Sequence, residues 1–256
     1  MKKYSRNSVF TKDGELLPIE ERTFITNEGY DCIIIDGGST SGKVTFQIDE
    51  YIAETAVHNV KTGAVKNPYK PIVYGIGYYG VGKYKARVNK KDTIPYILWS
   101  AMLLRAYSKK YRHLYPTYKD VKVYEEWHNF QVFAEWFYTE SNYQEGWHLD
   151  KDLLSGESKI YSPTTCIFIP RELNCFMTNV KVTNTSGYTG VRWHKRDLIW
   201  EAQIKSVETD KIVYLGRFNT AEKASVAYEA MRTIQCNIWK ERMKNILPLV
   251  AMNNLR

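Results

Sequence analysis

The chain has 256 residues, 44% hydrophobic and 25% charged, which supplies apolar material for one large core or a few small ones and excludes disorder as the main state. Its longest uncharged apolar stretches, such as Cys32–Ile35 and Ile167–Pro170, fall far short of the roughly 20 residues that span a bilayer, and Met1–Glu21 has no apolar h-region, so a cytoplasmic protein without a membrane helix is expected. The net charge of +8 is uneven: residues 1–180 carry 23 basic and 21 acidic residues, whereas 181–256 carry 13 and 7, a field suited to a polyanionic partner.

Short apolar runs with turn punctuation, Tyr30–Ile35, Lys43–Ile48 and Tyr51–Val57, predict a small β-meander or barrel-like module at residues 1–71. No catalytic spacing occurs in it, and Asp31, Asp36 and Asp49 read as turn and surface residues. Gly63, Pro68 and Pro71 mark Lys61–Pro71 as a linker. Val73–Gly82 contains four glycines but lacks the Gly-Lys-Ser/Thr ending of a phosphate loop, so a glycine-rich hairpin is expected.

Helical spacing after Pro95 predicts a helix over Pro95–Ser108, and a second helix follows Val123, with Trp127, Phe130, Phe133, Ala134 and Phe137 forming a core stripe. Beyond them the pattern reads strand, turn, strand, short helix: Trp147–Leu154, Ser155–Glu157, the apolar strand Ile167–Ile169 and the helix Arg171–Phe176. From Tyr188 onward, three alternating strands over Gly190–Arg192, Leu198–Val207 and Lys211–Phe218 precede an amphipathic helix N-capped by Thr220. Cys32, Cys166, Cys175 and Cys236 form no C-x-x-C pair, so they read as small core residues and no zinc is expected. The fold class expected is α+β: a small β module over 1–71, a central α+β module over 72–180, and a three-stranded antiparallel sheet plus one helix over 181–256.

A sheet backed by one helix leaves its other face open to DNA. Tyr188-Thr-Gly-Val-Arg192, Trp200-Glu-Ala-Gln-Ile-Lys205, Tyr214-Leu-Gly-Arg-Phe218 and Thr220-Ala-Glu-Lys-Ala-Ser-Val-Ala-Tyr228 are four ordered segments that resemble the AP2/ERF DNA-binding family. The resemblance implies a sheet lying in the major groove of double-stranded DNA, with contacts from Arg192, His194, Gln203, Lys205, Tyr214 and Arg217. Thr189, His194, Gln203 and Tyr214 depart from the family's residues, so its target sequence does not carry over. Trp200 and Phe218 are expected in the core.

Leu149-Asp-Lys-Asp152, Tyr161-Ser-Pro-Thr-Thr-Cys166 and Arg171-Glu-Leu-Asn174 resemble the HNH (ββα-metal) nucleases of phage and mobile elements, in the homing-endonuclease style, and with the C-terminal match the likeness spans residues 72–232. That family cuts a phosphodiester with a base that activates water and one divalent cation that stabilises developing charge. The resemblance implies Mg2+ or Mn2+ held by Asp150 or Asp152 and Asn174, hard oxygen donors suited to either ion. Lys151 stands where the family places its general-base histidine, and an ordinary ammonium accepts no proton at neutral pH. His148 and His128 are the alternative bases; on an extended strand the offset of three points His148 away from Lys151. Plainer roles stay open: Asp150 and Asp152 as ion-pair partners of Lys151 or Arg171, Asn174 as a helix cap, and both histidines as surface residues.

Three functions follow as expectations. The first is a double-stranded DNA-binding protein of phage or mobile-element type whose HNH-like module is divergent or inactive. The others are an active Mg2+-dependent homing-type endonuclease and a non-enzymatic regulator or virion-associated protein. For each, double-stranded DNA is the expected partner, with no membrane, a monomer favoured over other oligomeric states, and the cytoplasm, of a bacterial host for a phage-derived chain, as the location.

Overall fold

A computed structural model describes residues 9–11, 13–18, 21–37, 42–156, 158–177 and 185–255. Two compact units divide the chain: Met1–Lys85 with Asn129–Gln131, and Ala86–His128 with Val132–Arg256.

In the first unit, β1 (Thr23–Ile25), β2 (Asp31–Gly37), β3 (Lys43–Ile48) and β4 (Tyr51–Ala56) form an antiparallel meander in chain order. The period-2 alternation is explicit in β3, where Val44, Phe46 and Ile48 are buried while Lys43, Thr45 and Gln47 are not. Those three side chains meet Cys32 and Ile34 of β2, Phe24 of β1, and Val60 and Val65 in one core. Asp49, at φ 52°, makes the tight β3–β4 turn, a left-handed position that a short polar side chain tolerates. The chain then enters α1 (Val57–Lys61), and Asn67 donates to the Ile48 carbonyl at 3.2 Å. In place of the expected glycine-rich hairpin, a single bridge between Val73 and Gly77 closes a tight turn, with Tyr74 and Gly75 both at positive φ.

The second unit starts with the short hairpin β5 (Arg87–Val88) and β6 (Lys91–Asp92), followed by α2 (Ile94–Tyr107) and α3 (Lys109–Leu114). Pro95 sits in the first turn of α2, where its missing N–H costs nothing. Ser108 caps α3 by accepting the Tyr111 N–H at 3.3 Å. β7 (Lys122–Val123) and α4 (Phe130–Thr139) come next, and all five residues of the expected stripe, Trp127 to Phe137, are buried. The Trp99 indole N–H, fully buried, donates to the Trp127 carbonyl at 2.6 Å.

β8 (His148–Asp150), α5 (Asp152–Ser155), β9 (Ile160–Tyr161), β10 (Ile167–Ile169) and α6 (Arg171–Phe176) follow. β8 pairs antiparallel with β10, and β7 pairs parallel with β9. Finally β11 (Val191–His194), β12 (Ile199–Lys205) and β13 (Ile212–Phe218) form an antiparallel sheet packed on the 23-residue α7 (Ala221–Met243), with α8 (Leu249–Asn254) after it. The protein is therefore α+β, with a four-stranded antiparallel sheet first, a mixed central region, and a three-stranded antiparallel sheet on a long helix last.

α7 serves two cores. Its first half supplies Ala221 and Ala224 beneath the sheet, alongside Val191 and Ala202. Its second half supplies Cys236, Trp239 and Met243 to a cluster with Leu153, Ile167, Ile169 and Leu173. Arg232 ties the two regions by donating to the Phe176 carbonyl at 2.9 Å, with its guanidinium 4.5 Å from the Phe176 ring centre. Cys32, Cys166 and Cys236 are buried as expected, but Cys175 is exposed. It lies two residues after buried Leu173 in α6, which on a helix turns it to the far side.

Candidate functional site

Strand register puts the six expected DNA-contact residues on one side of the C-terminal sheet. Arg192 lies opposite Glu201, which lies opposite Arg217, so the three form a row across all three strands. Gln203 and Lys205 follow Glu201 on β12 at steps of two and share its face, as His194 shares that of Arg192. Strict alternation would set Tyr214 against Arg217. A bulge at Leu215 of β13, opposite the Ala202–Gln203 step, pairs Gln203 with Tyr214 and restores Tyr214 to that face, where it hydrogen-bonds Arg217. The opposite side, with Val191 and Ala202, packs on α7 together with Trp200 and Phe218, as expected.

Close packing of sheet on helix depends on Gly190. At φ +69°, a Cβ there would lie 2.2 Å from the Tyr228 ring carbons and 2.6 Å from the Gln203 carbonyl oxygen. Only glycine lets the Tyr228 ring, 5% exposed, lie against the start of β11.

The open face is ordered by charge. Arg192 reaches Glu201 through Nη2 at 2.8 Å and Nε at 3.0 Å, and Arg217 reaches it through Nε at 3.3 Å. Arg217 Nη2 also contacts Asp197 at 2.9 Å, while Lys205 pairs with Asp210. Burial pushes the Glu201 carboxyl upward, but the Arg192 hydrogen bond and the nearby His194, Arg192 and Arg217 charges leave it below its ordinary value. His194 Nδ1 lies 3.3 Å from the Asp197 backbone nitrogen and 3.4 Å from Asp197 Oδ2, which seats the ring against the β11–β12 turn. Arg196 also pairs with Asp197, so Arg192, Arg196, Lys205 and Arg217 are held on this surface by Glu201, Asp197 and Asp210.

The central region holds a second constellation. A polar cavity of about 220 Å³ is lined by His148, Asp150, Lys151, Asp152 and Asn174 together with Arg105, Tyr118 and Tyr161. β8 brings His148 and Asp150 to one side by its period of two, with Leu149 buried on the other. The antiparallel partner β10 leads directly into α6, which delivers Asn174 to within 3.3 Å of His148, Nδ2 to Nδ1. The strand-parity argument that separated His148 from Lys151 does not apply, because β8 ends at Asp150 and Lys151 already has helical dihedrals, φ −115° and ψ −13°. Both residues line the cavity.

Asp150 Oδ1 accepts the backbone N–H groups of Leu153 at 2.7 Å and Asp152 at 3.0 Å, so it caps α5 as well as facing the cavity. Burial raises its carboxyl above the ordinary range, against the pull of those donors, and the Asp152 charge raises it further. Lys151 pairs with Asp152. Arg105 of α2 interacts with the Tyr161 hydroxyl at the cavity wall.

Among the described residues no group of three His, Cys, Asp or Glu is arranged to hold a metal ion. The donors at the cavity, one half-buried carboxylate, one exposed carboxylate and an amide, fit a Mg2+ or Mn2+ that keeps several waters, not a closed protein cage. His128 is not part of this cavity: its Nε2 lies 3.0 Å from the Tyr107 hydroxyl, which itself accepts the Val123 N–H at 3.1 Å. Burial pushes the His128 ring below its ordinary value. Arg105, Tyr118 and Tyr161 escaped the sequence reading because no local spacing connects them to residues 148–174.

Comparison with family models, with curated proteins and with solved structures finds no match for this chain.

Proposed function

We propose that the chain binds double-stranded DNA through the open face of its C-terminal sheet and is a protein of phage or mobile-element type with a divergent HNH-like central module. The observation that carries this reading is the convergence of Arg192, His194, Gln203, Lys205, Tyr214 and Arg217 on one solvent-facing sheet surface whose reverse is packed on α7. A two- or three-stranded ribbon is one of the shapes that enter a major groove. The ion pairs there do not close the face to DNA, because the arginine side chains are 59% and 49% exposed while the buried Glu201 carboxylate beneath holds them in place.

The test is duplex binding by the full chain over a salt series. Affinity falls with salt as phosphates release counterions. Alanine at Arg192 or Lys205 weakens binding by about 1–3 kcal/mol where the side chain reads a base, and by less where it touches phosphate alone. Absence of duplex binding at low salt refutes the reading.

The polar cavity favours a second reading, Mg2+-dependent cleavage of the bound DNA. Asp150 and Asn174 would hold the cation, which supplies Lewis-acid stabilisation when bound, and His148, beside Asn174, would take the water proton. Supercoiled plasmid incubated with the chain and Mg2+ or Mn2+ tests this. Nicking that Asp150→Ala and Asn174→Ala abolish supports it, and nicking that survives both substitutions excludes this cavity. Binding without nicking leaves a non-enzymatic DNA-binding protein.

A further inference from the structure

Residues 55–85 contain five lysines, Lys61, Lys66, Lys70, Lys83 and Lys85, and no aspartate or glutamate. Five tyrosines, Tyr69, Tyr74, Tyr78, Tyr79 and Tyr84, are interleaved with them. None of these rings belongs to the apolar core of the first unit. Tyr69 and Tyr74 are 47% and 42% exposed, and Ile72 and Val81 nearby are 45% and 60% exposed. Tyr51, Tyr69 and Tyr78 form a ladder with ring centres 6.0 Å apart at each step. A recess of about 260 Å³ adjoins it, walled by Tyr51, Lys66, Lys70, Ile72, Tyr79 and Val81.

The backbone carrying this surface is held in place. Gln131 accepts the Tyr84 N–H at 2.9 Å and donates to the carbonyls of Tyr79 at 3.3 Å and Tyr84 at 2.9 Å. Gly80 and Gly82 make room for that clamp, since a Cβ on either would lie 2.2 Å from the Asn129 side chain or 2.3 Å from that of Gln131. A loop ordered before binding loses little entropy on binding. Lys66 pairs with Glu28 and Lys70 with Asp49, carboxylates outside the stretch; the Lys66 side chain is 69% exposed, and a pair of that kind yields to a phosphate.

We propose that this surface of the first unit binds a nucleic-acid strand with unpaired bases, the exposed tyrosines stacking on bases while the lysines follow the phosphates. Duplex bases are stacked on one another and offer no face to a tyrosine, so rings flanked by Ile72 and Val81 suit the unpaired strand. The inference is independent of duplex binding by the C-terminal sheet.

The test measures anisotropy of a labelled short oligothymidylate with the full chain at low salt, with excess unlabelled duplex present to occupy any duplex site. The oligothymidylate is expected to bind, and an abasic strand of equal length to bind at least about tenfold more weakly. Tyr69→Ala with Tyr74→Ala lowers affinity for the oligothymidylate by about tenfold or more, and Tyr74→Ala alone, on an exposed turn, by several-fold, with duplex affinity unchanged. Lys83→Ala reduces the slope of log affinity against log salt by about 0.7. Failure to bind, equal binding of the abasic strand, insensitivity to both tyrosine variants, or a parallel loss of duplex affinity each overturns the proposal.

Discussion

Gly190→Ala tests how the C-terminal sheet is seated on its helix. The added methyl meets Tyr228 Cδ2 and Cε2 at 2.2 Å and the Gln203 carbonyl at 2.6 Å, and it forces alanine to φ +69°. The left-handed backbone costs about 1–2 kcal/mol, and overpacking against a buried ring costs about 1–3 kcal/mol. The total is therefore roughly 2–5 kcal/mol. Sterics are the larger share, because the ring is confined between β11 and α7 and the second neighbour is backbone. Urea unfolding of the full chain reads the loss, and the same substitution in a Tyr228→Leu background separates its two causes. With the ring gone the steric share shrinks, so the penalty is smaller there by about 1–2 kcal/mol, a coupling typical of residues in contact. A penalty below about 1 kcal/mol, or one equal in both backgrounds, refutes the packing argument.

Other expectations follow from buried polar groups. Gln235→Leu removes the buried acceptor of the Val207 N–H at 2.6 Å and leaves a half-buried donor unpaired, so denaturant titration shows a loss of about 1 kcal/mol. His128 has a folded pKa below its unfolded value, so the stability it contributes is present above about pH 6.5 and is lost as pH falls. His128→Gln flattens that part of the stability–pH curve, and an unchanged curve contradicts the assignment. Asp150 is the opposite case: its folded carboxyl lies above its unfolded value, so ionisation destabilises the fold as pH rises from about 4. Asp150→Asn keeps an oxygen for the α5 cap, raises Tm at neutral pH but not in acid, and removes any rise in Tm on adding Mg2+. An Mg2+-induced rise that persists in the variant removes Asp150 from the cation site.

Elements whose signal is local were legible in the residues. β10 at Ile167–Ile169 and α6 at Arg171–Phe176 coincide with the expected strand and helix, and Thr220 caps α7 by accepting the Lys223 N–H at 3.3 Å. Each rests on neighbours two to four positions apart. The parity argument for His148 and Lys151 failed at a boundary, because it assumed a strand beyond Asp150, whose carboxylate instead starts a helix. Asp150, with helical N–H groups two and three residues on, was the available signal for that cap.

Periodicity, turn chemistry and composition thus determined the fold class, the sheet faces and the lysine–tyrosine run of residues 55–85, because these depend only on side chains adjacent along a strand, turn or helix. Pairing decided the rest. Glu201 came to stand between Arg192 and Arg217 through the registers of two separate strand pairs, and the β13 bulge decided on which side Tyr214 lies. Arg105 came to face Asp150 through packing of elements more than forty residues apart, and the second half of α7 found its core on Leu153, Ile167 and Leu173. Contacts between distant segments are chosen by which surfaces can be buried together, a property of the assembled chain and of no local stretch of it.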